Sequence, residues 1–99
     1  MIKHIVFFRF TEKLLENERI ENARALSSIF SPLKNLSSVK EYRVGINISD
    51  SDAAWDVVID SAFESLEKLN EYSDSKEHRE AISKGKQFAK ERSVIEYEF

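Results

Sequence analysis

Cysteine is absent from this chain, glycine occurs twice and proline once. The first absence removes disulfides, thiolate metal sites and a cysteine nucleophile, and leaves the redox compartment open. The scarcity of glycine and proline argues against a disordered or loop-rich scaffold. There is no glycine-rich phosphate loop and no nucleophile elbow built around a serine between glycines. No apolar run approaches the ~20 residues of a membrane helix. The apolar opening stretch is short, contains Lys3, His4 and Arg9, and lacks the form of a signal peptide. A soluble, cytoplasmic protein without a membrane partner is expected. The 15 basic and 18 acidic residues are interspersed, giving a net charge of −3. No basic face stands out to draw nucleic acid.

Ninety-nine residues with 41% hydrophobic content are expected to form one domain, residues 1–99. Residues 1–10 are rich in β-branched and aromatic side chains and predict a strand. Ile2, His4, Val6, Phe8 and Phe10 lie on one face; Lys3, Ile5, Phe7 and Arg9 lie on the other. Both faces are apolar at their centre, so both are expected to be covered. Ile20, Ala23, Leu26, Ile29, Phe30 and Leu33 then recur at helical spacing. Thr11 or Asn17 is the expected cap, and Pro32 closes the helix or breaks its last turn. Residues 39–48 alternate, with Tyr42, Val44, Ile46 and Ile48 on one face. Gly45 within them points to a bulge or a close approach.

Residues 49–53 predict a turn, and 55–63 a third strand with Trp55, Val57, Ile59, Ser61 and Phe63 on one face. Ser65 is placed to cap a short helix carrying Leu66, Leu69 and Tyr72. Asp74 or Ser75 caps a second piece, with His78 in its first turn. The charged run 84–92 reads as a solvated helix face. Residues 93–99 predict the last strand, with Ile95, Tyr97 and Phe99 opposite Val94, Glu96 and Glu98.

This order is that of an α+β, ferredoxin-like split βαβ (βαββαβ) with a four-stranded antiparallel sheet and helices on one face. The apolar residues of the helix-free face then need a partner. A second copy is the simplest one, giving a homodimeric α/β barrel.

The pattern resembles the stress-responsive A/B barrel (Dabb) family. The resemblance rests on His4 through Phe10, on Gly45 with Asn47, on the Phe63–Tyr72 spacing and on His78. It covers essentially the whole chain. Family members often carry His-Pro shortly before the final histidine; here Ser75 and Lys76 stand at those positions. The resemblance implies a dimer and only loosely an activity. A plant branch contains a polyketide cyclase that closes a linear poly-β-ketone by aldol condensation, and its catalytic residues match His4, Tyr72 and His78. The wider superfamily includes cofactor-free monooxygenases and haem-degrading enzymes.

The chain's two histidines and Tyr72 are thus the candidate catalytic residues. An aldol closure needs a base for a proton next to a carbonyl and a donor to the resulting enolate. His78 is the expected base, His4 its assistant and Tyr72 the donor. The plainer alternatives are a satisfied strand histidine, a neutral imidazole in a helical first turn and a core tyrosine. Neither cofactor nor metal is expected. A divalent ion on His4, His78 and Asp74 is an alternative, although no metal-binding spacing is present. The leading expectation is a pocket for a small, largely apolar ligand, with a cyclase-like or monooxygenase enzyme, or a dimerisation module without catalysis, as alternatives.

Overall fold

The computed structural model describes residues 1–10 and 13–99. Four strands, β1 (Ile2–Arg9), β2 (Glu41–Ile46), β3 (Val57–Phe63) and β4 (Glu91–Glu98), form one sheet in the order β2-β3-β1-β4. All three pairings are antiparallel. The helices are α1 (Glu16–Phe30), α2 (Leu66–Asp74) and α3 (Lys76–Gly85), and a 3₁₀ turn, Ser31–Asn35, follows α1. This is the ferredoxin-like arrangement expected, with the second helix divided in two.

Alternation along β1 decides which side chains meet the helices. Ile2, His4, Val6 and Phe8 are buried, whereas Lys3, Ile5, Phe7 and Arg9 are half-buried on the helix-free face. Across the pairings, Phe63, Ser61, Ile59 and Val57 of β3 join the first row. On the other side β4 contributes Glu98, Glu96, Val94 and Arg92 to it. Ala23, Leu26 and Phe30 of α1, with Leu69 and Tyr72 of α2 and Ala81 of α3, complete the core. Helices α1 and α3 pack closely: a Cβ at Gly85 would stand 3.1 Å from the Phe30 ring.

Several local expectations change. Asn17 lies within α1, and Leu15 is the N-cap residue; its N–H donates to the Glu18 carboxylate at 3.1 Å. Thr11 lies outside the described residues. Pro32 falls in the 3₁₀ turn, so the helix does tighten and stop there. Gly45 pairs regularly with Val58 and makes no bulge; the close approach is real, because a Cβ would meet Val58 Cγ1 at 3.0 Å. Strand β3 begins at Val57, so Trp55 leaves the alternation and packs by Phe7 and under the Arg9 guanidinium, 4.4 Å from the ring centre. Helix α3 ends at Gly85, and Glu91 and Arg92 belong to β4 rather than to a helix face.

Leu26 is fully buried at the centre of α1. Leu26→Ala is expected to cost about 3 kcal/mol through lost transfer energy and the cavity left behind. Urea denaturation checks this; an unchanged midpoint would contradict the packing of α1 on the sheet.

Candidate functional site

The three predicted residues meet on the helix side of the sheet. Tyr72 comes from α2, whose first turn is held by the Ser65 hydroxyl accepting from the Lys68 N–H at 3.2 Å. His78 sits in the first turn of α3. Ser75 links the two helices: its hydroxyl donates to the Tyr72 carbonyl at 2.7 Å and accepts from the His78 N–H at 3.1 Å. One short side chain thus caps α3 and closes α2. The Tyr72 and His78 rings end 4.7 Å apart, centre to centre. His4, reaching up from the middle of β1, lies 6.2 Å from Tyr72, edge on. Phe63 flanks both, and the Ser61 hydroxyl donates to the His4 carbonyl at 2.8 Å.

These side chains border a cavity of about 220 Å³. Val6, Phe8, Phe30, Ile59 and Ile82 give it an apolar lining, and Arg92, Val94 and Glu96 of β4 form its outer side. It opens along β4 because that strand's helix-facing row is largely exposed; Val94 is 47% exposed.

Hydrogen bonding fixes how each ring presents itself. His4 Nδ1 lies 2.7 Å from the Glu96 carboxylate, which only accepts. Nδ1 therefore carries a proton, and in the neutral ring Nε2 holds the lone pair. The Ser73 carbonyl, 3.1 Å from His78 Nδ1, imposes the same tautomer on the second histidine. Burial pushes the His78 pKa below its ordinary value; the Ser73 bond opposes this, while His4 and Arg92 add to it. A lone pair at Nε2 is the form suited to take a proton.

The Tyr72 hydroxyl pairs with that of Tyr42 on β2 at 3.0 Å. Burial raises the pKa of both phenols, so they stay protonated at physiological pH. Two hydroxyls sharing one hydrogen bond leave one proton over. With Tyr42 donating, that proton is on Tyr72, the member that lines the cavity. Tyr72 is then a donor to an oxygen, not a base.

Sequence reasoning did not single out Glu96, Arg92 or Tyr42. Alternation alone had set Glu96 on the face opposite Ile95 and Tyr97, and that parity, combined with β1–β4 pairing, places it opposite His4. Arg92 was hidden by its assignment to the charged run 84–92. Among the described residues no group of three metal-ligating side chains converges, and Asp74 does not join the two histidines.

A histidine with a lowered folded pKa favours the folded state at high pH. The unfolded ring takes its proton near pH 6.5 and the folded ring at a lower pH, so stability is lost as pH falls through that value. His78→Gln is expected to flatten the fall in melting temperature between about pH 7 and pH 5. Melting curves of both proteins across that range check it; parallel curves would refute the buried neutral imidazole.

Residues 2–99 match the stress responsive A/B barrel domain family. Among solved structures, the chain is similar to a dimeric protein of unknown function with a ferredoxin-like fold from Bacteroides fragilis: 23% identity, 99% of this chain and 95% of that one covered, TM-score 0.85. It is likewise similar to a protein of Arabidopsis thaliana, with 24% identity, 100% and 95% coverage and a TM-score of 0.77. A hydroxynitrile lyase from Passiflora edulis shares 19% identity over 97% of this chain and 90% of that one, with a TM-score of 0.69. At such identities the likeness establishes the fold. No curated protein sequence matches the chain. With the match spanning all but the first residue, the chain belongs to the stress responsive A/B barrel domain family.

Proposed function

We propose that this protein binds a small, largely apolar carbonyl compound in the cavity between sheet and helices, and that His4, Tyr72 and His78 carry out acid–base chemistry on it. The observation that carries this reading is the convergence of two imidazoles in the same tautomer and one un-ionised phenol on a single apolar cavity. An imidazole Nε2 removes a proton from the carbon next to the carbonyl. The Tyr72 hydroxyl donates to the enolate oxygen that forms. The enolate carbon is then free to attack a second carbonyl, and the imidazolium returns its proton to the new alkoxide. His4 is the better placed base, since the Glu96 carboxylate holds its Nδ1 and leaves the Nε2 lone pair free, and His78 serves as second base or acceptor. The aldol closure implied by the family resemblance needs these parts. So does the removal of a hydroxyl proton that opens a cyanohydrin, the class of reaction named for the Passiflora edulis relative.

The protein works as a homodimer through the helix-free face in this reading. Ile5, Phe7 and Val58 form an apolar centre there, continued by Ile95 and Tyr97, which are about half exposed. Such a surface on a small domain calls for a partner, and the Bacteroides fragilis relative is dimeric.

Two outcomes follow. The wild-type protein is expected to speed exchange of the α-protons of decan-2-one in D₂O, followed by proton NMR. His4→Gln and His78→Gln are each expected to lower that rate by about 10²-fold or more; rates unaffected by both substitutions would sink the acid–base reading. Ile95→Glu is expected to shift the sedimentation profile from dimer to monomer; a wild-type monomer would overturn the assembly.

A further inference from the structure

The cavity does not end at the histidines. A second recess of about 160 Å³ adjoins it, lined by Phe8, Ile82, Gly85, Ala89, Lys86, Lys90 and Arg92. The two share Phe8, Ile82 and Arg92. Together they form one groove between α3 and strands β1 and β4, with an apolar floor. One end holds His4, Tyr72, His78 and Glu96; the other holds Lys86 and Lys90, with Arg92 at the junction.

Charge is divided along this groove. The carboxylate among its lining residues, Glu96, is at the histidine end and is engaged by His4. Lys86 and Lys90 are at the far end, and Arg92 stands where the two recesses meet. Arg92 has no carboxylate partner among the described residues, unlike Arg9, which pairs with Glu91, or Arg19, which pairs with Glu16. The register gives the distance: Glu96 lies opposite His4 and Arg92 opposite Phe8. Four residues of strand span about 13 Å.

We infer that the ligand is an anionic amphiphile: a carbonyl group at the His4–Tyr72–His78 end, an apolar chain over Phe8 and Ile82, and a carboxylate or phosphate bound by Arg92 with Lys86. This rests on the reading of the site given above and adds the substrate class to it. Arg92 is its specificity residue. A guanidinium engages a carboxylate or phosphate through paired N–H groups, a geometry lysine lacks. At roughly 1.2 Å of extension per bond in a zigzag chain, a chain of about ten carbons bridges the two ends.

The test uses 9-oxodecanoate, its phosphate-ended analogue and its neutral methyl ester, titrated calorimetrically into the full chain at low salt. The acid is expected to bind about tenfold more tightly than the ester, with the advantage shrinking at high salt. Arg92→Gln is expected to remove that advantage, with the ester measured on the same variant as its baseline, and Lys40→Gln, at the opposite edge of the sheet, to leave the advantage in place. Arg92→Lys is expected to restore part of it, which separates lost charge from lost folding. The stronger of the two anions identifies the headgroup. Equal binding of acid and ester, with both weakened by His78→Gln, would keep the carbonyl pocket and overturn the anionic ligand. Binding of neither would overturn both.

Discussion

Strand β1 is flanked on both sides, and its alternation governs everything built around it. Hydrogen-bonded to β3 and β4 together, it has no freedom to slip: a shift of one residue would send Ile2, Val6 and Phe8 to the wrong face and Lys3 and Arg9 into the core. The same parity that buries three apolar side chains carries His4 into the helix layer. An imidazole in that row is tolerated because its Nδ1 has a carboxylate partner and because Ser61, a small residue opposite, hydrogen-bonds to the backbone instead of filling the space. The histidine's position is thus secured by the burial of its neighbours rather than by its own interactions.

What was readable in the sequence follows the same division. Periodicities of two and 3.6 are written by many residues at once, so strand faces, the α1 stripe and the break at Ser75 could be read. His4, Tyr72 and His78 stood out because the chain has two histidines and the family pattern places both. Glu96 and Arg92 were not visible as site residues. Each became one by pairing with residues some ninety positions away, a relation that no local pattern carries. Trp55 was misplaced for the opposite reason. Alternation was extended through Asp56, whose backbone and carboxylate are drawn instead to Phe8 and Phe10, ending the strand's regular face.

The two faces of the sheet keep separate tasks. The helix side pairs the polar groups around its two histidines: carboxylate with imidazole, carbonyl with imidazole, phenol with phenol. The helix-free side has apolar residues at its centre, with Lys3 paired to Asp60 and Arg9 to Glu91 around them. Ion pairs of this exposed kind contribute little stability.

The hydrogen bond between His4 and Glu96 joins residues 92 positions apart. Tyr72 and His78, by contrast, are locked by one serine within a single stretch of helix. The helical half of the site rests on local contacts, whereas its strand half joins residues far apart in sequence, the entropically costlier closure. The His4 tautomer is consequently set by a neighbouring strand: without the Glu96 carboxylate on β4, nothing would fix which ring nitrogen carries the proton.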